Sequence, residues 1–473
     1  MTIPAGDQRL AAVDAAPFGM KDKIGYALGD AGNNFTFNLV NSFLTIFYTN
    51  VFGIKGAIVG VMFMIARFFD AFVDVVVGRL ADNSGLTDRG RFTPWVIRMK
   101  YPLLVSAIIL WVPLISGVPL GVRVGYAFVT YLAFGVLYSF VNIPYGSMAS
   151  AISDDPEHKT ALSTWRSVGA AVGSAVVSYV VPLVMYAGHS RQITGARFFF
   201  GAAVFAAIGT VCYVGLTALT TERVRVEKAG PVPFGRMLRD MAHNRALLVL
   251  VVVDLVVVIN QNLSGTMLTY LYNDYFQDKG WMSVALVFNF TTVVLIAPFA
   301  GAVVRRFGRK ESAVAALFFA AAVYGALFLV HTHSPVVYLV GLFFGSLGAG
   351  VFNLMVWAFI TDVIDNHEVL TGDREDGVVY GVNSFARKFA QGIGGLVGGS
   401  MLSLIGYVES NTGGAQQSAE VVNRIYNLAS GLPTACCLVA ALVLLLFYLL
   451  GKRRAAGNAA AIEERHAANA ARS

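Results

Sequence analysis

The residues best suited to chemistry in this sequence are charged side chains that lie inside apolar segments. The stretch Arg67-Phe-Phe-Asp70-Ala-Phe-Val-Asp74 spaces three charges by three and four residues, which places them on one face of a helix. Charges are costly at membrane depth and normally face a cavity or a partner. One Arg cannot neutralise two carboxylates, so Asp70 and Asp74 predict a cation-coupling site. A structural ion pair between Arg67 and Asp70 is the alternative.

Four other apolar segments carry polar side chains that could bind a sugar. They contain Asp30, Asn33, Asn34 and Asn38; Tyr138, Ser139, Asn142 and Tyr145; Arg166; and Asn383, Ser384, Arg387, Lys388 and Gln391. Amides and hydroxyls both donate and accept hydrogen bonds, and aromatic rings stack against the C–H faces of sugars. For any one Asn, a hydrogen bond between helices is an equally good explanation. Arg166 and Lys388 are harder to explain that way, because a buried cation is costly.

The elements that must position these residues are membrane helices. The chain has 473 residues, of which 56% are hydrophobic and 13% charged, against about 25% charged in soluble domains. Mean hydropathy is +0.64. Twelve apolar segments long enough to cross a bilayer lie near 24–50, 58–81, 95–115, 124–150, 162–187, 197–219, 246–276, 281–304, 311–331, 335–363, 378–407 and 428–451. The predicted fold class is therefore an all-α membrane protein.

Basic residues in the short loops predict the orientation. One set of loops carries 18 Lys and Arg residues and the other set carries 6, and the richer side of a membrane protein is cytoplasmic. Both termini are then cytoplasmic. The formal net charge of +7 comes from these loops, so nucleic acid is not a predicted partner; the lipid bilayer is.

An internal repeat divides the segments into two groups of six. The loop after the second segment has Gly78 and then Gly90-Arg91, and the loop after the eighth has Gly301 and then Gly308-Arg309. This organisation resembles the major facilitator superfamily, whose halves rock around a central site; ordinary positive-inside loops are the alternative. The predicted domains are a tail (1–23), a six-helix half (24–219), a cytoplasmic linker (220–245), a second six-helix half (246–451) and a second tail (452–473).

Within that superfamily, several strings look like the glycoside–pentoside–hexuronide:cation symporter family. They are Gly25-Tyr-Ala-Leu-Gly-Asp-Ala-Gly-Asn-Asn-Phe35, Arg67 with Asp70-Ala-Phe-Val-Asp74, Asn142-Ile-Pro-Tyr-Gly-Ser147, Arg387-Lys388 and, after the tenth segment, Asp362-Val-Ile-Asp365-Asn-His-Glu368. The resemblance covers roughly residues 21–450 and is closer to glucuronide-type than to melibiose-type members. It implies a bacterial inner-membrane symporter that works by alternating access, coupled to H⁺, Na⁺ or Li⁺.

The resemblance also implies roles for individual residues. The family's cation carboxylates fall on Asp70 and Asp74, and a hydroxyl ligand falls on Ser139. Its sugar contacts fall on Asn34, Tyr138, Asn142, Gly146, Arg166, Ser384 and Lys388, with Tyr145 in the same motif as Asn142.

Departures from the family pattern suggest the substrate and the ion. Melibiose-type members have Asp at the positions of Asn34 and Asn142, and Trp at the position of Gly146. Fewer negative charges beside Arg166 and Lys388 predict a more positive pocket and an acidic sugar such as a glucuronide. Val73 replaces an oxygen-bearing side chain between the two Asp, which favours H⁺, although Na⁺ at Asp70 and Asp74 stays open.

Other function classes are less well supported. A lysolipid-type carrier or a membrane enzyme on the same scaffold is the main alternative, and a non-transporting sensor is another. No catalytic motif is present, and His331 and His333 lack a third metal ligand. The chain is therefore predicted to be a monomeric transporter with no cofactor, and not an enzyme.

Overall fold

The computed structural model describes residues 17–153, 155–185, 193–224, 244–371, 376–454, 457–458 and 461. This part of the chain contains twelve α-helices of 17 to 37 residues. They are α1 (Met20–Asn50), α2 (Gly56–Asn83), α3 (Thr93–Ile109), α4 (Leu120–Ile152), α5 (Pro156–Met185), α6 (Gly195–Leu219), α7 (Arg245–Tyr270), α8 (Lys279–Phe307), α9 (Arg309–Val330), α10 (Pro335–Thr371), α11 (Asp376–Leu404) and α12 (Ala419–Phe447). The predicted tails and linker lie mostly outside the described residues.

Nine segments in the described part of the chain are long and apolar enough to span a membrane. They coincide with every helix except α1, α8 and α11. Helix α1 falls short because it carries Asp30 and three Asn within nine residues. A count of twelve membrane-spanning helices therefore stays a prediction.

The helices turn apolar side chains outward. Phe72, Phe200, Val211 and Leu446 are 69%, 67%, 72% and 64% exposed. Water would penalise such surfaces, whereas lipid tails accept them, so the chain is an integral membrane protein.

The helices form two compact units. Unit 1 comprises residues Met1–Gly230 together with Tyr407–Gln416, and unit 2 comprises Pro231–Gly406 with Gln417–Ser473. Aromatic rings fill part of the core of unit 1, where Phe47 and Phe198 pack on Trp111. The core of unit 2 gathers side chains from α7, α9, α10, α11 and α12, including Leu250, Phe352 and Leu444.

Small residues allow the first and fifth helices of each unit to approach closely. In unit 1, a Cβ added to Gly173 of α5 would lie 2.9 Å from the backbone oxygen of Ala31 of α1. In unit 2, a Cβ on Gly394 of α11 would lie 2.9 Å from Asn262 of α7. Small residues let membrane helices pack backbone to backbone, and this packing brings the polar faces of α1 and α5, and of α7 and α11, together.

The repeated Gly-Arg loops adopt the same backbone conformation. Gly90 and Gly308 both have φ of +98°, a region that favours glycine. In unit 1 the buried carboxylate of Glu222 accepts hydrogen bonds from the backbone amides of Phe92 and Thr93 at 3.0 and 2.6 Å. Glu222 therefore caps the start of α3 from the chain beyond α6.

One motif lies elsewhere than the sequence pattern predicts. The string Asp362–Glu368 belongs to α10, which continues to Thr371, and does not follow that helix. Arg309, at the start of α9, forms an ion pair with Asp362.

Candidate functional site

The two carboxylates of α2 face α4. Ser139 donates a hydrogen bond to Asp74 Oδ1 at 2.5 Å, and Arg67 Nη1 lies 3.6 Å from Asp70 Oδ2. Gly135, one turn before Ser139, leaves room for Asp70, because a Cβ there would collide with the Asp70 carboxylate. Asp70 thus pairs with Arg67, as the structural alternative also predicts, and Asp74 has Ser139 beside it.

Arg166 of α5 is held by Asp30 of α1. Its Nε donates to Asp30 Oδ1 at 3.2 Å, and its guanidinium lies 5.2 Å from the centre of the Tyr145 ring. The Asp30 side chain is 10% exposed and the Arg166 side chain 38% exposed. The acid is therefore the buried partner of the pair, and the guanidinium is the more exposed one.

The amides of α1 join neighbouring helices. Asn34 donates to Asp30 Oδ2 at 3.2 Å and accepts from Ser174 of α5 at 3.1 Å. Asn33 accepts from Tyr213 at 2.7 Å and donates to Asn142 of α4 at 3.4 Å. Hydrogen bonds between helices therefore use much of the hydrogen-bonding capacity of these amides. This is the alternative to sugar binding that the sequence left open for each Asn.

Aromatic rings connect the carboxylate face of α2 with the polar face of α4. The guanidinium of Arg67 lies 5.3 Å from the Phe37 ring, and Phe37 stacks on Tyr138 at 5.1 Å. Tyr138 precedes Ser139, so the predicted sugar residue and the predicted cation residue are neighbours. Phe37 therefore joins the Tyr138 ring to the guanidinium that pairs with Asp70.

Tyr145 has a supporting position. It is fully buried, and its hydroxyl donates to the backbone oxygen of Tyr26 at 2.7 Å. Its ring faces Arg166, so it orients the guanidinium, and its hydroxyl is already engaged. Gly146 follows it, and a Cβ there would lie 3.8 Å from Arg166 Nη1. A large ring at this position, as in melibiose-type members, would compete for the space beside Arg166.

In unit 2, Lys388 is half-buried on α11, and the side chain of Ser384 lies outside the described residues. The neighbouring Arg387 donates to Asp254 Oδ1 of α7 at 2.6 Å. Asp254 is fully buried. Sequence inspection identified neither this pair nor the Asp30–Arg166 pair, because the partners are 133 and 136 residues apart. One signal in the sequence could have indicated these two pairs: in each unit, one helix carries a charged residue with no opposite charge nearby on that helix, and a second helix carries a charge of the opposite sign.

Asp30 changes the charge balance predicted for the sugar site. The polar face of unit 1 brings together three carboxylates and two guanidinium groups: Asp30, Asp70, Asp74, Arg67 and Arg166. Asp30 therefore offsets the charge of Arg166, and a pocket more positive than that of melibiose-type members stays a prediction.

Metal-binding chemistry finds no support in the described ranges, where no three His, Cys, Asp or Glu side chains converge. The carboxylates of Asp70 and Asp74 on α2 and the hydroxyl of Ser139 on α4 form a set of oxygen atoms. Such a set suits a proton or a monovalent cation better than a transition metal.

Known proteins resemble this chain along most of its length. Residues 25–452 match the family described as MFS/sugar transport protein. A glucuronide carrier protein homolog of Escherichia coli is 32% identical over 402 residues, covering 84% of this chain and 86% of the relative. An isoprimeverose transporter of Lactiplantibacillus pentosus is 29% identical, covering 85% and 83%. A third relative, from Escherichia coli and provisionally named a glycoside/cation symporter, is 28% identical, covering 86% and 87%.

Solved structures agree on the fold. A nucleoside transporter variant superposes with a TM-score of 0.65 at 13% identity, covering 91% of this chain and 99% of the other. At that identity the likeness shows the fold alone, and it confirms the predicted major facilitator fold.

Proposed function

Because the chain belongs to the MFS/sugar transport protein family, we propose that it is a secondary symporter of a glycoside or hexuronide, such as a glucuronide, and that its coupling cation is H⁺. Relatives named as a glucuronide carrier, an isoprimeverose transporter and a glycoside/cation symporter support this class of solute and cation coupling. The main alternative, a lysolipid-type carrier or membrane enzyme, is not favoured by these relatives.

The observation that carries the coupling proposal is the arrangement of Asp70 and Asp74, which lie on α2 and face α4. One carboxylate has Arg67 at 3.6 Å and the other has the Ser139 hydroxyl at 2.5 Å. Two carboxylates one turn apart on one helix face repel each other, and a bound cation would relieve that repulsion. Through Phe37 and Tyr138 this cation and the sugar can favour the same conformation, so that each raises the affinity of the other.

The proposal of H⁺ comes from the composition of the carboxylate face. A proton needs only a carboxylate oxygen, whereas Na⁺ needs several oxygen ligands. Between the two Asp the chain has Val73, which offers no side-chain oxygen. Asp70, Asp74 and Ser139 form the proposed coupling site.

The proposal of an acidic sugar comes from Arg166. Its Nε is committed to Asp30, and its Nη1 points toward the space left by Gly146. A guanidinium anchored at one edge presents its remaining donors in a fixed plane, which suits a carboxylate. Tyr138, Asn34 and Asn142 would serve the sugar hydroxyls and ring, and Tyr145 would hold Arg166. On α11, Lys388 and Ser384 are further proposed contacts.

The proposed setting is the bacterial cytoplasmic membrane. The basic residues of the loops favour an orientation with both termini in the cytoplasm, and family resemblance favours alternating access by a monomer. A single Cys placed in either tail should resist a membrane-impermeant thiol reagent in intact cells. Efficient labelling from outside would contradict this topology.

Transport into proteoliposomes tests the function directly. Purified protein should accumulate p-nitrophenyl β-glucuronide when an inward proton gradient is imposed, and should accumulate the neutral p-nitrophenyl β-glucoside more weakly. A sodium gradient without a proton gradient should drive little uptake. Better transport of the neutral glycoside would refute the acid preference, and uptake driven equally with no gradient would refute symport.

A further inference from the structure

The two units contain the same ion pair at corresponding places. Asp30 and Asp254 lie on the first helix of each unit, 224 residues apart, and Arg166 and Arg387 lie on the fifth helix of each, 221 residues apart. In each unit a glycine follows the Arg by seven residues, Gly173 and Gly394. Both glycines sit against the helix that carries the Asp. The pair is therefore part of the internal repeat.

The burial of the partners is also the same. In unit 1 the acid is 10% exposed and the Arg 38% exposed; in unit 2 the acid is 0% exposed and the Arg 25% exposed. A carboxylate this deeply buried requires a cation. Each Arg, by contrast, keeps part of its surface open. The acid thus fixes the guanidinium in place while leaving a side accessible.

A second feature of unit 2 points to a polar ligand. Asn383, one turn before Arg387, lies close to Asp254 and is 0% exposed. Its amide lies within hydrogen-bonding range of the Asp254 carboxylate and makes no close hydrogen bond to any other described group. In unit 1 the comparable amide, Asn34, is bonded to Asp30 and Ser174. A fully buried amide with unused hydrogen-bonding capacity costs free energy, and a polar solute or the water that accompanies it would supply further partners.

We propose that Arg387, positioned by Asp254, is a second specificity-determining residue that binds the acidic group of the transported solute, with Asn383 hydrogen-bonding beside it. This inference rests on the proposed transport of an acidic sugar. On α11 this guanidinium would add to the proposed contact of Lys388. Arg387 touches the solute, and Asp254 acts through Arg387.

The test compares an acidic and a neutral solute in the full-length protein. Binding of p-nitrophenyl β-glucuronide and of p-nitrophenyl β-glucoside is measured for wild type, R387Q and D254N/R387Q, together with folded yield. A charge-assisted contact predicts a loss of about tenfold or more in affinity for the glucuronide. The neutral glucoside should change by less than about threefold, because it forms no bond between opposite charges. The double variant removes both buried charges, so it keeps the comparison valid if R387Q alone folds poorly.

Matched variants separate the outcomes. R424Q removes an Arg that pairs with Glu420 on the exposed face of α12, and it should leave both affinities unchanged. If wild type does not bind the glucuronide in preference to the glucoside, the proposed function fails. A second outcome is that wild type prefers the glucuronide and R166Q loses this preference, while R387Q and D254N/R387Q both keep it. In that case only the inference about Arg387 is overturned. An equal loss of both solutes in folded D254N/R387Q would also overturn it, because that result marks a structural pair.

Discussion

Units 1 and 2 share an Asp–Arg pair between their first and fifth helices, but they differ in their second helix. Helix α2 carries Asp70 and Asp74, whereas α8, its counterpart in unit 2, has no acidic residue between Lys279 and Phe307. The shared pair suits a role that both units can have, namely contact with the solute. The unshared carboxylates suit a role that needs only one copy, namely coupling to the cation. Comparison of the units thus separates the two proposed functions.

The largest effect should come from removing the unshared carboxylates. Asp70→Asn with Asp74→Asn removes the groups that would bind the cation, so accumulation driven by a gradient should collapse, by at least about tenfold. Counterflow, which needs no gradient, should partly survive. Uptake and counterflow in proteoliposomes, beside folded yield, check this. Asp88→Asn in the exposed loop after α2 is the control. Undiminished accumulation by the double variant would rule out the coupling role.

A smaller effect, still confined to unit 1, should follow from filling the space beside Asp70. Gly135→Ala places a methyl group against the Asp70 carboxylate, and crowding of this kind costs about 1–3 kcal/mol. Coupled uptake should fall several-fold, about as expected from that cost. Gly125→Ala on the same helix meets nothing within 4 Å and should behave as wild type. Equal behaviour of the two variants in coupled uptake would contradict the placement of Asp70.

Ser139→Ala should change cation dependence more than sugar binding. The hydroxyl donates to Asp74 at 2.5 Å, and a hydrogen bond to a charged group is worth about 1.5–3 kcal/mol. If the ion is H⁺, loss of the donor destabilises the charged carboxylate, so half-maximal uptake should occur at a lower proton concentration. If the ion is Na⁺, a ligand is lost and more Na⁺ is needed. Ser147→Ala is the control, because the Ser147 hydroxyl donates to the backbone oxygen of Ile143. If uptake by the two variants depends on cation concentration in the same way, Ser139 has no role in cation binding.

The smallest effect on transport should come from the cap shared by α3 and the chain after α6. Glu222→Gln keeps the shape but loses the charge that accepts from Phe92 and Thr93. Loss of a charged helix cap costs about 0.5–2 kcal/mol, so thermal stability should fall by a few degrees. Solute preference should stay the same. A change in preference between acidic and neutral solute without loss of stability would show that this cap belongs to the transport machinery.

The family and the coarse fold follow from the sequence because they depend on local pattern. Apolar runs of membrane length, the Gly-Arg loops and the spacing of Asp70 and Asp74 are visible without coordinates. Ser139 was identified as the hydroxyl beside these carboxylates by resemblance, and the structure brings it to Asp74. The apolar runs, the loops and the Asp spacing are short-range features that neighbouring residues are enough to predict, whereas Ser139 and Asp74 are 65 residues apart.

What only the tertiary structure decided is which charge meets which. Asp30 with Arg166, and Asp254 with Arg387, join residues more than 130 positions apart, and no local pattern links them. Their pairing puts a buried carboxylate beside Arg166 in unit 1, where the guanidinium also lies over the Tyr145 ring. The physical reason is that the energy of a buried charge depends on its partner within a few ångströms. Helix packing through Gly173 and Gly394 sets that partner, whereas hydrophobic periodicity sets only the helices themselves.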